Sequence, residues 1–248
     1  MQELERQYHI ACTSEDVGRY CILPGDPGRV PAIAALFDDA RQVACNREYN
    51  VWTGTLLGQK VTACSTGIGG PSAAIAMEEL HKCGADTFIR TGTCGGMQPD
   101  VTAGSLIIAT GACREEGVTE KMIPLSYPAI ADGEVVAALT ASARALDIPV
   151  HKGIVLTQAL FYPGFLESTV KLYAKAGVKA MENEVASLLV VASLHGVKAG
   201  AIIAADAPAF ELVGVDGYNQ TADDADVAQA VENEISIALD AIVQVPLD

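Results

Sequence analysis

Three short apolar runs in the first hundred residues each break into a glycine-rich turn, and this repeated pattern restricts the fold more than any other feature. Tyr20–Leu23 runs into Pro24-Gly25-Asp26-Pro27-Gly28-Arg29, and Lys60–Ser65 into Thr66-Gly67-Ile68-Gly69-Gly70-Pro71-Ser72. Thr87-Phe88-Ile89 runs into Arg90-Thr91-Gly92-Thr93-Cys94-Gly95-Gly96. Short apolar runs of this kind read as buried strands. Helical spacing follows the first turn at Val30, Ile33, Ala34 and Phe37, and the second turn opens a helix to Cys83 with Pro71 suited to its first turn. The third run is expected to end at Arg90, with the chain then turning through its glycines. Glycine brings backbone N–H groups close to an anion, and arginine adds a fork of donors that suits phosphate oxygens. In open α/β sheets ligands sit at the carboxyl ends of strands. The turn after Ile89 therefore reads as a phosphate site or as a tight turn carrying a surface arginine. Arg29, where a strand, a glycine turn and a helix start meet, carries the same two readings.

The rest of the chain continues the alternation. Val51-Trp52 precedes a hairpin turn at Gly58; Ser105–Ala109 and His151–Leu156 read as strands, and Glu134–Leu146 as a helix. Phe161-Tyr162-Pro163-Gly164 follows a strand end, where aromatics stack on flat ligands or simply pack. Met181-Glu182-Asn183-Glu184 leads into an apolar helix, Val185–Leu194, and its carboxylates are either helix-cap partners or acceptors for sugar hydroxyls. Ala199–Ala205 is a last buried strand with Asp206 at its end, a candidate acid or a turn former. Asp223–Val243 closes the chain as an amphipathic helix. There is no repeat or linker, so residues 1–248 form one α/β domain.

Composition narrows the partners. The 248 residues carry a net charge of −15, which argues against nucleic acid and anionic membranes. An anionic ligand must therefore be held by local cations. The start of the chain lacks a signal-peptide core, and the apolar region 188–205 is broken by His195 and Lys198. Seven cysteines without a CxxC pair fit reduced thiols in a cytoplasm. Four scattered histidines and no HExxH argue against zinc. The Gly67–Ser72 turn approaches the GxGxxG of dinucleotide folds, but Ser72 replaces the third glycine and Asp86 precedes the next strand instead of ending it.

Taken together, Gly25–Val30, Asn46-Arg47-Glu48-Tyr49, Ser65–Ser72, Arg90–Gly95 and Met181–Glu184 resemble the purine nucleoside/uridine phosphorylase family (nucleoside phosphorylase-I) over nearly the whole chain. The resemblance implies an α/β/α sandwich with a mixed, partly closed sheet, assembled as dimers or as hexamers built from three dimers. It implies that Gly25, Arg29, Arg90 and Thr93 bind phosphate, that Arg47 and His9 reach a neighbouring subunit's phosphate and ribose, and that Glu184, with Asn183, meets the ribose. Phe161 and Glu182 would line the base pocket. Glu48, Ile68 and Ser72 match positions that hold a monovalent cation, K+, between subunits; no other cofactor is implied, phosphate being a co-substrate. Two departures stand out. Phe165-Leu166-Glu167 occupies the place of the glutamine and arginine that read uracil in uridine phosphorylases, while Ala205-Asp206-Ala207-Pro208 resembles the aspartate turn of hexameric purine nucleoside phosphorylases. Asn183 stands where the family usually has methionine. The expected activity is phosphorolysis of a purine nucleoside, with Asp206 and Arg90 catalytic. A uridine phosphorylase, a nucleosidase that uses water, and a non-catalytic nucleotide-binding module are the alternatives.

Overall fold

The computed structural model describes residues 5–162, 164–213, 215 and 224–247. Among the described residues, ten strands and six helices follow one another. The first half contains β1 (Tyr20–Pro24), α1 (Val30–Ala34), β2 (Asp38–Asn46), β3 (Tyr49–Leu56), β4 (Gln59–Cys64), α2 (Gly70–Lys82), β5 (Thr87–Gly96) and β6 (Leu106–Glu115). The second contains β7 (Ala129–Ile130), α3 (Gly133–Ala145), β8 (His151–Gln158), α4 (Val170–Lys175), β9 (Ala180–Glu182), α5 (Val185–His195), β10 (Lys198–Pro208) and α6 (Asp224–Ile242).

The sheet is mixed and closes on itself along part of its width. β5, β10, β6, β8 and β9 pair in a ring, because β5 bonds to β10 on one side and to β9 on the other. From β5 the sheet also continues through β1, β4, β3 and β2. Parallel pairs (β1–β4, β1–β5, β5–β10, β6–β8, β8–β9) mix with antiparallel ones. Helices α2 and α5 cover one face with Ala73, Met77, Leu80, Leu188 and Val191. Helices α1, α3 and α6 cover the other with Ile33, Leu139, Ile237 and Ala241. Helix α5 is apolar nearly all round because it is buried from Val185 to Ala192. Gly196, in the left-handed conformation at φ 67°, ends it. The two-residue β3–β4 turn uses Leu57 and Gly58, both at positive φ. Among the described residues, no helix is long and apolar enough to cross a membrane.

Two expectations are corrected here. The chain does not turn after Arg90: β5 runs on through all three glycines to Gly96, held by β10 along its whole length. Its glycines serve close approach. A Cβ at Gly95 would lie 2.8 Å from Ala209 Cα, and one at Gly96 would lie 2.3 Å from Val101 O. Likewise Asp206 does not end its strand, since β10 continues to Pro208. Ala205 pairs with Cys94 and Ala207 with Gly95, so Asp206 is the extra residue of a β-bulge. The start of α6 matches expectation from Asp224 onward, and Asp223 lies outside the described residues.

Closure at Gly95 and Gly96 places β9 against β5, and there is no room for a side chain at Gly96. The variant Gly96→Ala is expected to lose about 1–3 kcal/mol of stability, because backbone must move to relieve the contact. Urea unfolding measures this, and an unchanged midpoint would show that the closure tolerates a methyl group.

Candidate active site

The site lies where β5 changes partners. β1 pairs with β5 only from Thr87 to Thr91, and β9 pairs with it only at Gly95 and Gly96. Between them, Gly92, Thr93 and Cys94 have no strand on that side, and the sheet opens there. A cavity of about 540 Å³ is lined at this opening by Gly25, Arg29, Gly67, Arg90, Gly92 and Glu184, among others. An inner lobe of about 210 Å³ lies beside it, between Cys94, Glu182 and Asp206. Thr93, Phe161 and Asn183 line both.

Arg90 is buried, with 5% of its surface exposed. Its Nη2 donates to Glu184 Oε2 at 2.5 Å, and its Nη1 donates to Leu23 O and Thr66 Oγ1, each at 3.3 Å. Its Nε is buried without a hydrogen-bond partner. A Cβ at Gly25 would lie 3.2 Å from this guanidinium, and one at Gly92 would lie 3.0 Å from it. The two glycines thus leave the cation open to a ligand. Arg29 ends a short 3₁₀ turn, Pro27–Arg29, whose Asp26 side chain accepts from Gly28 N–H at 2.8 Å, and it opens α1. Thr93 stands half-buried on β5 between the two lobes.

Glu184 precedes the first turn of α5 and is also buried. Its Oε1 accepts from Gly69 N–H at 2.6 Å, at the start of α2. One carboxylate thus joins the Gly67–Ser72 turn to Arg90. Glu182 takes the other role foreseen for this acidic pair, helix capping. Its Oε2 accepts from the N–H groups of Glu184 and Val185, and its Oε1 accepts from Thr157 Oγ at 2.6 Å. Burial, and then the Glu184 charge, push the Glu182 carboxyl up to about 7. Asn183 donates to Gln158 O at 2.6 Å, tying the end of β8 to the pocket. Phe161 and Tyr162 are exposed at the rim and meet edge-on at 5.0 Å. Pro163 of that turn, and residues 214 and 216–223, lie outside the described residues.

The bulge turns Asp206 toward the inner lobe. Its carboxyl keeps a solvent-facing edge, yet desolvation by the surrounding protein raises its pKa, opposed by backbone N–H groups and the Thr93 hydroxyl. His9 and Arg47 do not line the cavity of their own chain. Glu79 of α2 holds His9, accepting from its Nδ1 at 2.6 Å and from its backbone N–H. Exposed Arg47 sits at φ 55° with its guanidinium 5.9 Å from the Tyr8 ring. Glu48, Ile68 and Ser72 are neighbours: the Glu48 side chain packs against Gly67, and Ser72 Oγ donates to Ile68 O at 3.2 Å.

Two contributors escaped the sequence reading. Thr66 is a second side-chain partner of Arg90. Glu234, fully buried on α6, has Oε2 accepting from Gly92 N–H at 3.3 Å and Oε1 3.6 Å from Arg29 Nη1. Its signal was present: Ala230, Glu234, Ile237 and Ala241 share a helix face, and a lone acid on an apolar stripe needs a reason.

One cavity of this α/β protein thus brings Arg29 and Arg90 together with the buried acid Glu184. Comparison with known proteins gives the family. The model of the phosphorylase superfamily matches residues 19–244. The chain is 45% identical over 210 residues to the uridine phosphorylase of Thermococcus kodakarensis, covering 80% of this chain and 76% of that protein. It is 38% identical over 242 residues to the guanosine phosphorylase of Halorubrum lacusprofundi, covering 96% and 99%. The crystal structure of purine nucleoside phosphorylase from Toxoplasma gondii, in complex with immucillin-H, superposes with a TM-score of 0.90 at 32% identity, covering 98% of each chain. The chain belongs to the phosphorylase superfamily.

Breaking a buried ion pair leaves an uncompensated charge. Arg90→Ala is therefore expected to lose about 3–5 kcal/mol, because Glu184 stays buried beside an empty space. In Arg90→Ala/Glu184→Gln part of that loss should return, measured by chemical unfolding. A double variant as unstable as the sum of the single ones would mean the two side chains are not coupled.

Proposed function

We propose that this protein is a nucleoside phosphorylase that converts a purine nucleoside and phosphate into free base and pentose 1-phosphate. The observation that carries the reading is the single cavity in which Arg29, Arg90 and Gly25 face Glu184, an anion cradle set against an acceptor for sugar hydroxyls. Phosphate is itself the nucleophile, so the protein needs no covalent one. As the bond from C1′ to the base breaks, the sugar becomes cation-like. Phosphate held by Arg29, Arg90 and Thr93 stabilises that charge and attacks C1′ from the cradle side. Glu184, fixed by Arg90 and Gly69, orients the sugar through its hydroxyls, with Asn183 alongside. The bonding electrons pass to the leaving base, and Asp206 donates a proton to it; its raised pKa suits an acid. Phe161 and Glu182 line the space for the base.

The preference for a purine rests on Asp206 in the inner lobe and on Phe165-Leu166-Glu167 where uracil readers would stand. Arg47 and His9 complete a neighbouring subunit's site, which makes the working form at least a dimer and, by family resemblance, a hexamer. Glu48, Ile68 and Ser72 would hold a monovalent cation at that junction. A cytoplasmic setting fits the seven free cysteines.

Three outcomes test these assignments. Base release from inosine should require phosphate, and equal release in phosphate-free buffer would make the protein a nucleosidase. Asp206→Asn should lower purine turnover by about tenfold or more, because an amide cannot give up a proton as an acid does. Uridine outrunning inosine and guanosine, or full purine turnover in the folded variant, would overturn the base assignment. Mixed Arg47→Ala and Arg29→Ala subunits should regain activity after exchange, since some mixed sites hold both arginines. Continued inactivity would refute sharing of the site.

A further inference from the structure

Among the described residues, Glu234 is the carboxylate of α6 that reaches Gly92 and Arg29. It has no exposed surface, and it touches two cradle residues from α6: Gly92 through a hydrogen bond and Arg29 across 3.6 Å. The Arg29 contact is too long for a hydrogen bond, and Glu234 Oε1 is buried without such a partner. Glu234 is thus held by one N–H through Oε2, while Oε1 lies in ion-pair range of Arg29 without bonding to it. The geometry leaves one oxygen facing the cation that anions use.

We propose that Glu234 is a positioning residue of the phosphate subsite and links phosphate binding to a proton. The site takes the anion with the Glu234 carboxyl neutral and repels it with the carboxyl ionised. The inference rests on the phosphorylase reading. In the neutral form the Oε1 hydroxyl is a donor on the cradle side, and Arg29 keeps its full charge for phosphate. In the ionised form a buried negative charge offsets Arg29 and stands beneath the incoming anion.

The surroundings of Glu234 favour the neutral form. Burial raises the carboxyl to about 8, against the opposing pull of Arg29, the N–H of Gly92, Arg90 and the N–H of Ala204. Among the described residues, the other facing elements bring apolar side chains. The α3 side presents Val135, Leu139 and Ala143 to the shared core, and α1 presents Val30 and Ile33. From β1 comes Tyr20, whose hydroxyl donates to Val245 O. On β5 the buried Cys94 thiol feels both Glu234 and, from β10, Asp206, and burial keeps it protonated. On α6 itself, Asp226 and Glu232 are exposed.

The test is the phosphate KM of the wild type and of Glu234→Gln, measured with saturating nucleoside between about pH 6.5 and pH 9. Dividing one by the other cancels the ionisation of phosphate itself. The ratio of wild-type to variant KM is expected near one at the acid end and to rise about tenfold one pH unit above the titration of Glu234. A ratio that is flat with pH overturns the inference, as does a variant that loses kcat without a change in the pH profile. A second measurement needs no variant. Sulfate does not titrate in this range, so calorimetry in two buffers of different ionisation enthalpy near pH 8 should show uptake of about half a proton on sulfate binding. Absence of uptake also overturns it. If the wild type releases base without phosphate, the phosphorylase reading has failed; if release needs phosphate and the ratio stays flat, only the role of Glu234 has failed.

Discussion

The contact between Arg90 and Glu184 is the interaction on which the rest of the site depends. Both side chains are nearly removed from water, and neither could remain there alone. Their 2.5 Å contact brings together a cation on the central strand and an acid at the start of α5, two segments far apart in the chain. Glu184 also accepts from Gly69 at the head of α2, so one carboxylate fixes the relative placement of a strand and two helix starts. A buried pair of this kind adds little to stability compared with an apolar filling, but it specifies one arrangement. In this protein that arrangement keeps a buried cation and a buried carboxylate side by side in the wall of one cavity. Pre-organisation of this sort removes the reorganisation that a flexible site would require at the moment of reaction.

The sheet supplies the space. Because β1 leaves β5 after Thr91 and β9 joins only at Gly95, three residues of the central strand have no strand partner on that side. An open parallel sheet would place its site beyond the strand ends. Here the opening is within the sheet, and the strand runs past it. The glycines of β5 answer to this geometry: Gly92 keeps room beside a guanidinium, while Gly95 and Gly96 let neighbouring backbone come close.

Much of this was legible in the sequence. The helix start at Arg29, the turn before α2 and the apolar α5 were readable because glycine, proline and periodicity are local signals. The course of β5 was not: a local reading takes three glycines as a turn, and only pairing with β10, more than a hundred residues away, makes them a strand. The β9 strand was missed for a similar reason, since three residues between an exposed loop and a helix carry no period. Asp206 was found as a residue but not as a bulge, because a bulge exists only relative to its partner strand. Glu234 is the clearest loss. Its helix was recognised, but no pattern within α6 points across the core to Gly92 and Arg29. The acidic pair at 182 and 184 divided in a way the sequence left open, one capping the helix and the other holding the arginine.

Closure of the ring has a consequence for how the chain is made. Strand β5 is complete by residue 96, but its partner β10 does not begin until residue 198, and Glu184 comes only shortly before it. While the polypeptide emerges from the ribosome, the central strand has β1 beside it and nothing on the other edge, and Arg90 has no counter-charge. Contacts this distant in sequence form slowly, and half-built sheets expose edges that aggregate. The nascent N-terminal half therefore carries an unpaired strand edge, and a chain cut short before residue 198 would retain its glycine turns yet lack the strand that pairs with β5 along its whole length.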